Sequence, residues 1–459
     1  MKTCNLKWML TLLLALLLFE SCNTDDDQVN TYTNEPVVTD ITTQLMVEWN
    51  DLWLELDRYA FGMRPNATAR ALAYIHLAAY ETVVDDMTDF TSNTSRLQTL
   101  TIDSAQRANT IDLNIALNTC YAVVMDHFMY NTSSEMDGAI DLFKVTKENA
   151  LLQNVSNQVL QDSRQWGNYI AEQVIEYSQT DVQAESQILE PQPLSYEPPI
   201  GEGFWTYSAD QERALFPYWE SVRTFVVSSD ETSSIAPMEY NEDSNSDYFA
   251  QMIEVYTINN TAKLEDNEDL WIAEYWSDDV EGLMMSPPGR QISIAKQLIV
   301  QNDLSHETSL VLLLKLGFAL NDAAVSTWAD KYNYMVMRPN VYIQEFIDVE
   351  YETNLYRFIN WPNPSFPSYP SGHSCFVSAA GGIFIDVFGN NIDFTERSHE
   401  GRTEFRGTPR QFNSISEMVE DAAFSRVPLG VHMRIDCTEG MRLGYEISEA
   451  INGFDLSTN

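Results

Sequence analysis

The sequence predicts an all-α fold, and three observations support this prediction. Apolar residues recur at three- and four-residue steps, the spacing of an amphipathic helix. No run alternates apolar with polar residues as a half-buried strand does, and no repeat of fixed period stands out. Of the 459 residues, 44% are apolar and 12% aromatic, so the chain can bury a large core and wholesale disorder is excluded.

Helical patterns follow one another along the chain with two interruptions. In the N-terminal half the expected helices cover residues 41–59, 68–84, 103–128, 136–152 and 155–174. A proline-rich stretch at 189–202 and a polar stretch at 228–246 break the pattern, and helices resume at 248–258, 291–302 and 308–328. We therefore expect an N-terminal helical lobe at 41–188, a connection at 189–247 and a C-terminal helical lobe at 248–459.

The first 21 residues have the pattern of a targeting segment. Lys2 and Lys7 precede an apolar run at 8–19, which is short for a transmembrane helix and suits a cleaved signal peptide. Residues 19–22 and the polar residues after them resemble a bacterial lipoprotein signal, in which Cys22 is lipidated and becomes the first mature residue. We expect an acidic tether at 22–40 and a protein of the cell envelope, lipid-anchored to the outer membrane on its periplasmic or surface face.

The charge balance excludes two classes of partner. The 26 Lys and Arg residues against 68 Asp and Glu residues give a net charge of −42. Such a surface repels nucleic-acid phosphates and anionic membranes, so we expect no nucleic acid as a partner and membrane contact only through the lipid anchor. An anion site in this protein must be a local basic pocket.

Cysteine spacing indicates neither a metal site nor a disulfide framework. Of the five cysteines, Cys4 belongs to the signal segment and Cys22 to the lipid anchor. The other three, Cys120, Cys375 and Cys437, have no metal-site spacing and are expected to be buried thiols. A disulfide between Cys375 and Cys437 stays open as an alternative.

Three short segments of the C-terminal half concentrate residues that can bind an oxyanion. In the first, Lys331 and Arg338 are close to two helical turns apart and can face the same way, while Pro339 biases Arg338 out of the helix. In the second, Ser371 can cap the apolar helix that follows. Gly372 there lets an anion approach backbone N–H groups at the positive end of that helix.

The third segment combines a cation with a histidine. Arg426 precedes His432 and Asp436, which stand at i and i+4 on one helical face, so that the carboxylate can orient the imidazole. Together with His373, the three segments supply three cations, a hydroxyl, a helix N-terminus and two imidazoles. This set can bind a tetrahedral or trigonal-bipyramidal oxyanion and exchange protons with it.

These segments resemble the three-part signature of the superfamily that unites vanadium-dependent haloperoxidases with type 2 phosphatidic acid phosphatases. The matching residues are Lys331, Arg338, Pro339, Pro370, Ser371, Gly372, His373, Ser425, Arg426, His432 and Asp436. Resemblance to the haloperoxidase branch extends to the segments 272–276 and 364–369, Trp328 and the N-terminal stretch 64–81. The likeness covers about residues 45–455 and implies two helical-bundle lobes, with the vanadate or phosphate site in the C-terminal lobe.

The resemblance also implies roles for the matched residues. His432 would coordinate vanadium, and His373 would move a proton to or from the oxygen on the opposite side. Vanadate oxygens would be held by Lys331, Arg338, Ser371, Gly372 and Arg426, and the supporting residues would be Asp436, Trp328 and Phe366. Lys331 counts with the two histidines among the catalytic residues.

The implied reaction is oxidation of a halide by hydrogen peroxide to hypohalous acid, with vanadate as cofactor. Iodide and bromide are the expected halides and a small organic acceptor the final partner, and a homo-oligomer is compatible with the resemblance. The same atoms also suit an acid phosphatase, in which His432 attacks phosphorus and His373 protonates the leaving group. A third reading, a glycan-binding surface lipoprotein, is allowed by composition alone.

Two further histidines are expected to lie outside the oxyanion site. His76 lies on an apolar helical face and is expected to be a core residue with hydrogen-bond partners. His399 lies in the charged segment 395–407 and is expected to be exposed, with a role at the rim of the pocket as the alternative.

Overall fold

Helices make up most of the chain from Ile41 onward. The computed structural model describes residues 38–129, 131–207, 213–264, 267–278, 280–357 and 362–458. The expected signal peptide, the lipidated Cys22 and nearly all of the expected tether lie outside these residues. The prediction of an all-α fold is confirmed.

The N-terminal half contributes six α-helices, most of which begin at a capping Asp or Ser side chain. They are α1 (Ile41–Asp57), α2 (Asn66–Val83), α3 (Leu113–Phe128), α4 (Ser134–Leu151), α5 (Asn157–Gln179) and α6 (Val182–Leu189). Short 3₁₀ turns lie at Val84–Asp86, Asn93–Ser95, Ser104–Gln106 and Trp219–Ser221. The helix expected from 103 begins only at Leu113, because the Asp112 carboxylate accepts from the Ile115 N–H and starts the helix there.

The C-terminal half contributes the remaining helices and one small hairpin. The helices are α7 (Asp247–Ala262), α8 (Glu268–Tyr275), α9 (Pro287–Gln301), α10 (His306–Tyr334), α11 (Pro339–Phe346), α12 (Gly372–Phe388), α13 (Ile415–Phe424), α14 (Arg426–Leu429) and α15 (Arg434–Asn452). A 3₁₀ turn lies at Asn354–Arg357. The strands β1 (Phe394–Glu396) and β2 (Arg410–Phe412) pair antiparallel, with Phe394 opposite Phe412.

Helix α10 lies at the centre of the packing. It packs against α2 from the N-terminal half and against α12 and α15 from the C-terminal half. At Gly317 of α10 an added Cβ would lie 2.9 Å from the Ala73 Cα of α2, so glycine permits this close approach. Helix α10 is long and apolar enough to span a membrane, but 83% of its apolar window is buried inside the protein, as in a core helix.

One hydrophobic core contains residues from both halves, from Leu45 of α1 to Leu456 near the C-terminus. Residues Val37–Asn459 form one compact unit. The boundaries predicted for two lobes, at 188 and 248, stay a prediction.

Candidate active site

Lys331 and Arg338 reach the site from two different helices. Lys331 lies in the last turn of α10, which ends at Tyr334 because Met335 adopts a left-handed conformation, with φ of 53°. Arg338 is the N-cap residue of α11, in an extended conformation before Pro339. The prediction that Arg338 lies outside the helix is confirmed. The two cations also face the same way, although α10 ends between them, since both lie over the Phe366 ring.

Lys331 is fully buried beneath the segment 367–370. Its Nζ donates to the carbonyl oxygens of Pro367, Ser368 and Pro370 at 3.0, 2.9 and 2.5 Å. Burial, and then the nearby Arg338 guanidinium, lower the pKa of Lys331 well below its usual value. Lys331 thus ties α10 to the segment that precedes α12, and a bond to a bound oxyanion would replace one of these three bonds.

The N-terminus of α12 is capped as the sequence predicts. The Ser371 Oγ accepts from the Ser374 N–H at 3.3 Å and from the Ser374 hydroxyl at 2.9 Å. Both contacts use this oxygen as an acceptor, so the Ser371 O–H proton remains for an oxygen of a bound anion. At Gly372 an added Cβ would lie 3.2 Å from the Trp328 ring, so glycine keeps the backbone close to the aromatic wall described below.

His432 lies between two helices and not on a helix. Helix α14 ends at Gly430, whose φ is 90°, and α15 begins at Arg434, so His432 belongs to the connection. The prediction of an i, i+4 pair on one helical face is therefore wrong in its geometry. The predicted contact is confirmed, since His432 Nδ1 lies 3.1 Å from Asp436 Oδ2.

The partners of His432 fix its tautomer. Arg338 Nη1, which can only donate, lies 3.3 Å from His432 Nε2, so Nε2 is an acceptor. Nδ1 carries the proton and donates to Asp436, which also accepts from the Ser368 hydroxyl at 2.6 Å. Burial, and then Arg338, Lys331 and Arg426, lower the pKa of His432 well below its usual value, so the imidazole is neutral. A neutral imidazole with Nε2 unprotonated is the form that ligates a metal.

The second histidine is held by a carboxylate that sequence reasoning missed. His373 Nδ1 lies 2.6 Å from Asp278 Oδ2, and Arg426 Nη1 donates to Asp278 Oδ1 at 3.1 Å. Burial alone would raise the pKa of Asp278, but His373 and Arg426 together hold it below its usual value. Asp278 is therefore ionised, so it fixes the Nδ1 proton of His373 and the position of Arg426 at once.

The Nε2 atom of His373 is buried and has no hydrogen-bond partner among the described residues. Burial, and then the nearby Arg426, lower the pKa of this imidazole. Asp278 lies two residues after the segment 272–276, which resembles the haloperoxidase branch. This position is the sequence signal from which Asp278 could have been predicted as a site residue.

A cavity of about 270 Å³ opens onto both histidines. His373, His432, Arg426 and Gly372 line it, together with the rings of Trp328 and Phe366. These two rings lie 4.9 Å apart, and the Lys331 and Arg338 cations lie over the Phe366 ring at 5.2 and 4.9 Å from its centre. The site therefore combines buried positive charge with an aromatic wall, while Lys331, Arg338 and Ser371 lie behind the surface of the cavity.

The remaining cysteines and histidines lie away from this cavity. Cys120, Cys375 and Cys437 are buried free thiols, as expected, and the alternative disulfide is not formed. His76 is buried in α2, but neither ring nitrogen has a partner among the described residues, so the expectation of partners is wrong. His399 is buried and not exposed, because its ring packs against Arg290, Tyr275 and Phe405.

The cluster offers two unprotonated imidazole nitrogens, the Nε2 atoms of His432 and His373, among N–H donors. Within the described ranges, no group of three or more His, Cys, Asp or Glu side chains is placed to hold a metal ion. Fold and site together define an all-α protein that brings two neutral histidines and three cations to one cavity, a set of donors suited to an oxyanion.

Comparison with known proteins identifies this fold. A family model described as the VCPO second helical-bundle domain matches residues 311–455. The crystal structure of the first bacterial vanadium-dependent iodoperoxidase is similar over 94% of this chain and 99% of that chain, with a TM-score of 0.78 and 22% identity. No curated protein sequence matches this chain.

Two structures of bacterial vanadium-dependent chloroperoxidase are also similar, each with 16% identity. The holo form gives a TM-score of 0.64 over 86% of this chain and 93% of that chain. The apo form gives 0.63 over 85% and 94%. The helical-bundle fold is that of the bacterial vanadium-dependent haloperoxidases, and the resemblance predicted from the sequence motifs is confirmed.

Proposed function

We propose that this protein is a vanadate-dependent haloperoxidase. It oxidises iodide, and also bromide, with hydrogen peroxide to hypohalous acid, which then reacts with a small organic acceptor. The observation that carries the proposal is the pair of buried histidines on one cavity, each oriented through Nδ1 by its own carboxylate. The likeness of fold to vanadium iodoperoxidase and chloroperoxidases supports it.

Vanadate fits the residues of this pocket. His432 Nε2 is an acceptor and lies beside the Arg338 guanidinium. Vanadium bound at Nε2 would therefore have its oxygens close to this cation. The Ser371 O–H and His373 Nε2 have no partner among the described residues, so a bound anion would supply the missing contacts. His432 would hold vanadium, and Lys331, Arg338, Arg426, Ser371 and the Gly372 N–H would hold its oxygens.

Bound vanadate would supply Lewis acidity toward peroxide. The chain's own residues would do the rest. His373, with Nδ1 held by Asp278, would accept or return a peroxide proton at Nε2. The three buried cations would stabilise negative charge that develops on oxygen. The rings of Trp328 and Phe366 would exclude water and offer a polarisable surface to the halide.

Vanadate dependence distinguishes this function from that of an acid phosphatase. A haloperoxidase gains peroxide-dependent oxidation of iodide when vanadate is added to the metal-free protein. Phosphate should compete, because it binds the same three cations. In a phosphatase, vanadate resembles the transition state of phosphoryl transfer and only inhibits.

The experiment is titration of the metal-free protein with vanadate, followed by a halide panel with peroxide from mildly acidic to neutral pH. We expect iodide to be oxidised most readily. If vanadate abolishes a robust phosphatase activity and neither iodide nor bromide is oxidised, the haloperoxidase proposal is wrong and the phosphatase reading replaces it.

A further inference from the structure

Arg64 brings a fourth cation to the cavity, from the N-terminal half of the chain. It lies two residues before the start of α2 and lines the same cavity as the two histidines, with a side chain that is 6% exposed. None of the three C-terminal motif segments includes it. Its place on the wall therefore needs an explanation of its own.

The contacts of Arg64 fix its guanidinium but leave one donor without a partner. Nη1 donates to the Asp278 carbonyl at 3.1 Å, and Nη2 donates to the carbonyls of Asp57 and Met284 at 3.1 and 2.6 Å. The buried Nε–H has no hydrogen-bond partner among the described residues. A buried, unpaired donor on a charged group is costly, so a ligand that accepts from it would be stabilised.

The positive charge of Arg64 is only partly balanced. The Asp57 carboxylate forms its ion pair, with Oδ2 at 3.9 Å from Nη2, beyond hydrogen-bond distance. Burial raises the pKa of Asp57, although Arg64 itself acts to lower it. Two other carboxylates line the cavity. Asp278 is engaged by His373 and Arg426, and Glu281 accepts from the Gly62 N–H at 2.9 Å.

The first turn of α2 adds to the positive potential beside Arg64. Its N-cap residue is Pro65, and no side chain caps this end of the 18-residue helix. The next residue, Asn66, is fully buried, and neither its Nδ2 nor its Oδ1 has a partner among the described residues. An uncapped helix N-terminus next to a cation attracts an anion.

We propose that Arg64 and the first turn of α2 form a halide-binding subsite on the wall of the cavity. The choice of halide rests on the proposed function, since halide is the small anion that a haloperoxidase must concentrate. A monatomic anion needs few donors and no fixed angles, so one Nε–H with a helix N-terminus suffices. The larger oxyanion requires the several donors of the C-terminal motifs. In a protein of charge −42, such a subsite would raise the local concentration of an anion at the cavity.

The first test measures bromide binding in solution without any turnover. The vanadate-free protein is saturated with inorganic phosphate to fill the oxyanion pocket, and bromide is followed by the line width of its bromine-81 resonance. We expect Arg64→Gln to weaken bromide binding about tenfold or more, the loss expected for a charge-assisted hydrogen bond. Arg58→Gln is the matched control. It removes a cation from the same connection between α1 and α2, but Arg58 does not line the cavity. Equal bromide binding by wild type and Arg64→Gln would overturn the proposal.

The second test uses the vanadate-loaded enzyme. Arg64→Gln should raise the KM for iodide about tenfold, while vanadate affinity and the KM for peroxide change by less than twofold. Arg64→Lys, which keeps the charge, should lie between Gln and wild type. If Arg64 only holds the carbonyls of Asp57, Asp278 and Met284 in place, the KM for iodide, the vanadate affinity and the KM for peroxide should all shift in parallel. That result would also overturn the proposal.

A third measurement does not depend on any variant folding. In bromide-soaked wild-type crystals, an anomalous peak beside Arg64 Nε supports the subsite, whereas peaks elsewhere in the cavity with none at Arg64 contradict it. The proposed function can fail independently. If wild type binds bromide at Arg64 but oxidises no halide with vanadate and peroxide, the anion subsite stands and the haloperoxidase assignment falls.

Discussion

The two cavity histidines differ in their surroundings, so their substitutions should have different effects. His432 accepts from Arg338 at Nε2, the atom assigned to vanadium, whereas His373 lines the cavity and its buried Nε2 has no partner among the described residues. We expect His432→Ala to lose both vanadate binding and turnover. His373→Ala should keep appreciable vanadate affinity and lose most halide oxidation. Calorimetry of vanadate binding, beside iodide oxidation rates, separates the two, and equal vanadate affinity in wild type and His432→Ala would contradict the assignment.

Asp278 should act through His373 and Arg426, which it holds in position. Removing its charge takes a carboxylate from Nδ1 of His373 and one ion pair from Arg426. We expect Asp278→Asn to lower the turnover number about 10- to 100-fold, the usual effect of losing a residue that orients a site. The measurement is kcat for iodide oxidation as a function of pH. The pH profile should shift to lower pH, because the Asp278 carboxylate no longer raises the pKa of His373.

The control for this substitution is Asp181→Asn, another buried carboxylate, which accepts from the Arg223 N–H far from the site along the chain. If both variants lose activity equally, the loss reports general destabilisation and Asp278 has no positioning role.

The motif side chains could be identified from the sequence, but their partners could not. Lys331, Arg338 and Arg426 stand out because the chain has few cations, and Ser371 stands out because it precedes a long apolar run. Asp278 is one of 68 acidic residues, and Arg64 occurs in a different half of the sequence. Both lie in or beside segments that resemble the haloperoxidase branch, but that resemblance names no partner for either of them. Their contacts join segments far apart in the chain: Asp278 contacts His373 and Arg426, and Arg64 donates to the Asp278 carbonyl.

Helix ends were less predictable than helix interiors. The sequence pattern predicts a helix at 308–328, but α10 continues to Tyr334. It ends where Met335 takes the left-handed conformation, which a residue such as Met rarely adopts. His432 likewise lies beyond an unexpected end, after α14 stops at Gly430. In both cases a left-handed residue, and not a change in hydrophobic pattern, directs the functional side chain into the site.

Gly430 offers a direct test of that conclusion. Its φ is 90°, and an added Cβ would lie 2.4 Å from the Tyr351 hydroxyl and 2.6 Å from Asn259 Nδ2. We expect Gly430→Ala to destabilise the fold by more than about 1 kcal/mol, because it adds a clash to the cost of a positive φ. Since His432 follows two residues later, vanadate affinity should fall as well.

Gly401→Ala provides the matched control. Gly401 also has a positive φ, of 80°, but an added Cβ would meet nothing within 4 Å. It should lose only the backbone contribution, about 1 kcal/mol, and keep full vanadate affinity. Denaturant unfolding and vanadate calorimetry of both variants decide the matter, and unchanged vanadate affinity in Gly430→Ala would show that this turn does not position His432.

The buried His76 in α2 should make stability depend on pH. Burial lowers the pKa of this imidazole to about 3, from an ordinary value of 6.5. Between these two pKa values the unfolded chain binds a proton at His76 and the folded protein does not. The free energy of unfolding is therefore highest above pH 6.5 and decreases as the pH falls below 6.5. At pH 5 the loss is about 2 kcal/mol.

His76→Leu removes the titration while keeping an apolar side chain in α2. From pH 7 to pH 5, the free energy of unfolding of the variant should fall by about 2 kcal/mol less than that of wild type. Urea unfolding at the two pH values measures this difference. Parallel pH dependence in the two proteins would mean that the folded state protonates His76 normally.

At the scale of the whole molecule, we propose that the catalytic body is tethered to a membrane by lipid on Cys22. Lipid on Cys22 would supply the membrane association, while α10 stays buried inside the protein as a core helix. We expect Cys22→Ser to move the protein from the membrane fraction to the soluble fraction, with unchanged iodide oxidation. Normal processing and continued membrane fractionation of Cys22→Ser would contradict the anchor.

The packing of α10 on α2 has a consequence for a chain that is cut. Residues 241–245 are exposed and lie between the two halves, so a protease should cleave there first. The apolar surface shared by α10 and α2, including the contact at Gly317, would then hold the fragments together. The nicked protein should elute as one particle in gel filtration and separate only in denaturant. Arg64 and His373 would then lie on different polypeptides, so mixing two separately expressed fragments should reconstitute the cavity as a split protein.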